Sequence, residues 1–342
     1  MQKLTNWLLG KRVLMLFLIV LFYYVPYLSW FSLVLAALFT LANNVRISLL
    51  ALAALLVPEL INNFWHETPF AWFIPLKLAF FWAAAAVLRH YDVSAFNSKA
   101  SELSPITAPD NAWSQVCNLT AAVTIVVIPL VYLLNPQIQL IWSNFWGWLL
   151  NSIGLSLHTY APMLGQDGID LPIWTMWLTL LDELKASHVM VLLPKISTGV
   201  LISGYFWGEL TTLMIVRAWF LSYQKRTHTT AQELQRIRLH MAATLAFLLV
   251  LVVPNASLAC RLDLLCALGI LFFLAGLSLV HYLLHSWGNR IFWMGIIALY
   301  VLLIFMPITM SLFLIVLAIV DSIVDVRKRL MREVIHDGNH PA

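Results

Sequence analysis

Apolar residues run along this chain in long, nearly unbroken blocks, at 13–42, 47–63, 70–88, 116–134, 196–221, 240–257, 264–285 and 291–323. A helix needs about 20 predominantly apolar residues to cross the hydrocarbon core of a bilayer. The pattern therefore predicts an all-α, polytopic transmembrane helical bundle. Two blocks are too long for one simple span, and each carries a proline near its middle, Pro26 in 13–42 and Pro307 in 291–323. A mid-segment proline removes a helix hydrogen bond and clashes with the preceding turn. Each block is then either one kinked helix or a tight hairpin of two short helices.

Composition supports the membrane reading. The 342 residues include only 20 Lys and Arg and 16 Asp and Glu, 11% of the chain, against about 25% in soluble domains. Hydrophobic residues make up 61% and the mean hydropathy is +0.85. So few charges cannot cover a globule of this size, and the surplus apolar surface must face lipid. The net charge of +4 and the isoelectric point near 9.0 fit Lys and Arg gathered on the cytoplasmic side better than nucleic-acid binding. Three cysteines, Cys117, Cys260 and Cys266, are too few for a disulfide scaffold, although Cys260 and Cys266 are close enough in sequence to bridge if both lie outside. The basic start followed by an apolar run resembles a signal peptide, but the run continues far past any cleavage site and reads as an uncleaved first helix.

Charge also decides between kink and hairpin. Three basic clusters stand out: Lys3, Lys11 and Arg12; Lys225, Arg226, Arg236 and Arg238; and Arg327, Lys328, Arg329 and Arg332. If all three are cytoplasmic, an even number of crossings separates each from the next. That requires both proline-centred blocks to be hairpins, giving about 8–10 membrane segments with both ends inside. This topology places 15 of the 20 basic residues inside and three, Lys185, Lys195 and Arg261, outside, with Lys77 and Arg217 in spans. Asp263 falls among the external acidic residues. The tryptophan-rich pieces 138–157 and 171–181 read as helices along the outer surface, although 138–157 could also cross. The chain then divides into N-terminal transmembrane helices (1–134), an extracytoplasmic interfacial segment (135–195), and C-terminal transmembrane helices with a basic tail (196–342).

Ionisable residues inside spans are costly and are functional candidates by default. Glu59 near the outer end of 47–63 and Lys77 in 70–88 sit on adjacent antiparallel helices, where an ion pair would offset the burial of each. Such a pair is a structural staple or, through Lys77, an anion or substrate contact. Glu209 lies in the middle of GYFWGELTTL, behind Gly204 and Gly208, whose four-residue spacing permits close helix approach. A central carboxylate there must find a partner or take up a proton, either as an interhelical contact or as a proton- or cation-linked site. Arg217, two turns further on, reads as a cytoplasmic anchor. His281 with His285, and Asp321 with Asp325, are i, i+4 pairs that suit a divalent metal. The alternative is that the aspartates pair with Arg327, Arg329 or Arg290. The loop 222–239 reads as a basic surface helix capped at Thr229 or Thr230 and suited to anionic headgroups.

No P-loop, dinucleotide loop or HExxH is present, nor a GxSxG elbow. The chain names no catalytic residue and no cofactor, and is not read as an enzyme. Its expected partners are the lipid bilayer, a small-molecule solute and a membrane-protein partner, with no nucleic acid.

The C-terminal third carries a resemblance. AQELQRIRL, AGLSLVHYLLHSWG and the closing segment ALYVLLIFMPITMSLFLIVLAIVDSIVDVRKR are similar to the bacterial membrane proteins grouped as domain of unknown function 2232, the YybS-like family. The matching residues are Glu233, Arg238 and Leu239; Gly276, Leu277, Val280 and His281; and Pro307, Asp321, Ser322, Asp325 and Arg327. The likeness covers about 215–330 and is weaker over 13–90. It implies a bacterial inner-membrane location and no established activity. The family's fold is similar to the substrate-binding subunits of energy-coupling-factor transporters and to MreD, which implies a compact helical bundle with a small-molecule cavity. Those transporter subunits dock a partner through small residues four apart. They do so in the first helix, and here 13–25 has no such pair, although Ser32, Ala36 and Thr40 form a four-spaced ladder in the next segment. The resulting expectation is a membrane protein that binds or helps transport a small solute, the alternative being a non-transporting scaffold or assembly factor.

Overall fold

The computed structural model describes residues 7, 10–25, 28–65, 73–97, 112–164, 172–224, 233–235, 237–252, 257–286, 289–327 and 329. Among them are twelve helices and no strand. In chain order these are α1 (Arg12–Tyr24), α2 (Ser29–Ala42), α3 (Val45–Trp65), α4 (Phe73–Asn97), α5 (Ala112–Leu134) and α6 (Ile138–Leu164). They are followed by α7 (Pro172–Ala186), α8 (Val189–Tyr223), α9 (Met241–Val252), α10 (Leu258–Ser286), α11 (Asn289–Phe305) and α12 (Pro307–Val324). Four of these are long and apolar enough to cross a membrane among the described residues: α5, α8, α10 over Leu258–His285, and α12. The described residues are thus helical without strands, with helices fit to lie in lipid. Shorter apolar helices include α1 and α2, of 13 and 14 residues. At 1.5 Å per residue each extends about 20 Å, short of a hydrocarbon core about 30 Å thick.

The chain forms two compact units, Met1–Val123 with Tyr205–Thr244 and Leu271–Ala342, and Thr124–Gly204 with Leu245–Ile270. The division falls within α5, α8, α9 and α10, and the units do not coincide with the segments 1–134, 135–195 and 196–342.

In the first unit, α1 ends at Tyr24 and α2 begins at Ser29, on either side of Pro26, which lies outside the described residues. The chain doubles back there. The Ser32 hydroxyl donates to the Ile19 carbonyl at 2.7 Å, and the Phe22 and Phe31 rings meet edge to face at 6.5 Å. Helix α1 packs on α2 and α3, α2 on α3 and α4, and α3 on α4. The core of this cluster is fully buried Met15, Ile19, Leu38, Phe39, Leu55 and Phe81. The small-residue ladder works within this cluster: Ser32, Ala36 and Thr40 are all buried, and the Thr40 hydroxyl donates back to the Ala36 carbonyl. Their spacing therefore serves packing inside the chain.

The second proline break lies at Met306, whose backbone leaves the helical region (φ −133°, ψ 60°) and places Pro307 at the start of α12. Proline suits a first turn because its missing N–H has no partner to lose there. Helix α11 contacts α12, and the Met306 and Met310 amides still donate to Leu302 and Met306. Helix α12 approaches α10 where a Cβ on Gly276 would land on the Leu314 backbone.

In the second unit α6 packs on α7. Trp142 and Trp146 on α6 donate to the hydroxyls of Thr198 and Ser197 on α8, at 2.9 and 2.7 Å. All three cysteines are free. Cys260 and Cys266 are six apart on the single helix α10 and point to different sides of it, so the bridge that their sequence proximity permits does not form.

Candidate functional site

The first unit brings together two of the three solute-contact candidates. Tyr205, Glu209 and Thr212 follow the i, i+4, i+7 spacing of one face of α8, and that face meets α4 and α2. Phe80 of α4 lies against Phe206 with ring centroids 4.8 Å apart, and the Trp30 indole of α2 donates to the Thr212 hydroxyl at 2.9 Å. Between these contacts the Lys77 ammonium sits 3.9 Å from Glu209 Oε1 and 4.5 Å above the Tyr205 ring centroid. The side chains are unequally sheltered, Lys77 at 21% exposed and Glu209 at 3%. Neither carboxylate oxygen of Glu209 has a hydrogen-bond partner. A buried carboxylate ordinarily collects donors, and this one relies on a single ammonium at the outer limit of an ion pair. The third candidate, Glu59, is buried at 2% exposed on α3.

The glycines that flank Glu209 do not bring helices together. A Cβ on Gly204 or Gly208 would meet nothing within 4 Å, and both glycines are exposed. Close approach occurs instead at Gly276 and, in the second unit, at Gly199, where a Cβ would land on the Asp263 backbone. The sequence spacing was a valid packing pattern, but on α8 it faces away from the neighbouring helices.

The segment before α9 is not an exposed basic helix over its described part. After a helical turn at Glu233 and Leu234, residues 237–240 carry no regular structure, and Ile237 and Leu239 are buried at 3% and 1% exposed. Irregular backbone buried in a membrane protein has to be satisfied by the surrounding protein, and here side chains from several helices do so. The Ile237 amide donates to Ser278, the Arg238 amide to Ser114 and the His240 amide to Asn118, at 3.0, 2.9 and 2.8 Å. Ser322 donates to the Leu239 carbonyl at 3.1 Å. Arg327 donates to the carbonyls of Gln235 and Ile237, at 3.0 and 2.9 Å. The Thr229 and Thr230 cap lies outside the described residues.

Arg217 is likewise no cytoplasmic anchor. It is 3% exposed and grips both oxygens of Glu233, Nη2 to Oε1 at 2.8 Å and Nε to Oε2 at 3.1 Å, while the Trp113 indole adds a third donor. The fork geometry of a guanidinium makes such a pair specific as well as strong. Glu233, Arg238, Leu239, Asp321, Ser322, Asp325 and Arg327 thus meet around this one buried segment.

The two aspartates read as metal ligands pair with arginines, and the two histidines lie against aromatic rings. Asp321 pairs with Arg327 at 3.2 Å, and Asp325 pairs with Arg238 at 2.8 Å. His281 lies against the Tyr300 ring and His285 edge-on to Phe292. Among the described residues no group of three or more His, Cys, Asp or Glu is placed to hold a metal ion. Asp325 closes α12 in the left-handed region at φ 55°, a conformation that Asp and Asn adopt more readily than other non-glycine residues. Burial pulls the Arg327 guanidinium below its ordinary pKa, and Asp321 pushes it back.

In the second unit the structure adds a site that the sequence placed outside. Asp263 is completely buried, because α10 begins at Leu258, six residues before the apolar block. Its Oδ2 accepts from the Tyr132 hydroxyl at 2.6 Å and its Oδ1 from the Gly199 amide at 2.7 Å. Gln139 in turn donates to the Tyr132 oxygen at 3.0 Å. Asp263 is well supplied with donors, whereas Glu209 has none.

Compared with known proteins, the chain matches no family, no curated protein and no solved structure.

Proposed function

We propose that this chain is a multi-pass protein of the bacterial inner membrane, akin to the YybS-like proteins, that binds a small solute and helps move it across the bilayer. Lys77 and Glu209 are its central polar contacts and Glu59 a further one on α3. In this reading the proline-broken hairpins bring the count to ten crossings, with both termini cytoplasmic. The observation that carries the proposal is the Lys77–Glu209 pair itself. A purely structural ion pair buried in apolar surroundings gains most when its remaining lone pairs are hydrogen-bonded, and Glu209 has no such bond. Its partner keeps a fifth of its side chain exposed, so the ammonium is the group that an arriving solute meets first.

The test is thermal unfolding of the full chain in lipid nanodiscs against a series of small anions and cations, with lactate, benzoate, phosphate and spermidine as probes. The proposal expects at least one probe to raise the unfolding temperature of the wild type and to do nothing for Lys77→Ala. Equal stabilisation of both proteins would remove Lys77 from the site. The second reading, a non-transporting scaffold, draws on the burial of Glu209. It predicts co-purifying membrane proteins and no response to any probe.

A further inference from the structure

We propose that the solute taken by the Lys77–Glu209 site is a small monocarboxylate that binds together with one proton, so that the charge of the site is the same before and after. The inference rests on the solute-binding reading above and deepens it.

The class follows from what Lys77 already holds. Its ammonium faces a carboxylate on one side and the Tyr205 ring on the other, so a solute carboxylate taken up by the ammonium would repeat the native carboxylate–ammonium contact. An ammonium over a ring face is itself attractive, and this keeps Lys77 in place when its carboxylate partner changes. A cationic solute fits less well, since Lys77 is the more exposed member of the pair and would repel it.

The proton follows from the isolation of Glu209. The elements around it bring few polar groups. Helix α4 brings Lys77 and, one turn on, Phe80. Helix α8 brings Tyr205. Helix α2 brings Trp30, whose indole is spent on Thr212. Among these Lys77 is the charged group, and it is the one that acts electrostatically on Glu209. When a solute carboxylate takes over the ammonium, Glu209 is left buried, ionised and without donors, a state that low-polarity surroundings disfavour strongly. Uptake of one proton on a Glu209 oxygen removes that charge. The balance is then closed: Lys77 cation and Glu209 anion, plus a solute anion and a proton, become Lys77 cation, solute anion and neutral Glu209. No bond other than the O–H forms or breaks. A dianion would leave a net negative charge in the site, which is why the class is a monocarboxylate.

The experiment is titration calorimetry of benzoate into the full chain in nanodiscs, in two buffers of different ionisation enthalpy. The difference in observed heat counts the protons taken up per anion bound. The inference expects about one proton per benzoate for the wild type. Whatever the affinity that Glu209→Gln is left with, it expects about zero protons per benzoate bound by that variant. Wild-type binding without proton uptake, or the same uptake by Glu209→Gln, would overturn it. Binding of phosphate but not benzoate would overturn the class. If no anion binds the wild type at all, the solute-binding reading falls first and the inference with it. The wild-type arm decides without reliance on the folding of the variant.

Discussion

Arg327, just beyond the end of α12, meets Asp321 of the helix's last turn at 3.2 Å, with both side chains almost out of reach of solvent. The same guanidinium spans to the carbonyls of Gln235 and Ile237, so one side chain neutralises a buried carboxylate and completes the hydrogen bonding of an irregular buried segment. Lysine has the charge but not the planar fork. Arg327→Met is expected to cost about 3–5 kcal/mol, the penalty for leaving one member of a buried pair behind. Arg327→Lys is expected to recover less than half of that. Denaturant unfolding in detergent, followed by tryptophan fluorescence, measures both.

The glycines separate into two kinds. Gly276→Ala drives a methyl group into the Leu314 backbone, and Gly199→Ala drives one into the Asp263 backbone, neither of which can turn aside. Each should lower the thermal midpoint markedly. Gly204→Ala and Gly208→Ala meet open space, and the better helix propensity of alanine is worth up to about 1 kcal/mol. These two should leave the midpoint unchanged or raise it.

Tyr132 and Asp263 share a 2.6 Å hydrogen bond to a fully buried carboxylate. Hydrogen bonds to charged groups contribute about 1.5–3 kcal/mol, and Tyr132→Phe is expected to lose an amount in that range. Asp263→Asn should lose more, because an amide nitrogen cannot accept from either Tyr132 or the Gly199 amide. Equilibrium unfolding of the two variants against the wild type checks the order.

The sequence was informative wherever the physics is local. Breaks flank Pro26 and Pro307, in the two blocks too long for one span, whereas Pro58 and Pro129, in blocks of ordinary span length, are carried inside α3 and α5. A charge inside such a block is costly wherever it ends up, which is why Lys77, Glu209 and Glu59 could be singled out before any neighbour was known. The partners could not be read. Adjacency of their helices in sequence points Lys77 towards Glu59, whereas the pair it makes with Glu209 depends on α4 meeting α8, and no local pattern encodes that. Asp263 and Arg217 were assigned to the outer and inner surfaces by their place at the edges of apolar blocks. Helix α10 starts before its apolar block does, and one face of α8 stays buried as far as Phe220 and Leu221, so both charges are buried among donors or acceptors from distant segments. The regularly spaced small residues were visible too, but spacing alone does not tell a packed face from an open one. Ser32, Ala36 and Thr40 are packed within the chain, while Gly204 and Gly208 are open.

The most direct test of the central claim, that Lys77 and Glu209 form a solute site rather than a staple, is the Lys77→Met/Glu209→Gln double variant. Removing both charges of a buried pair is often nearly neutral for stability, so the variant should unfold within a few degrees of the wild type. Benzoate, which is expected to stabilise the wild type, should have no effect on it. Benzoate stabilisation that persists undiminished in the folded double variant would contradict the claim.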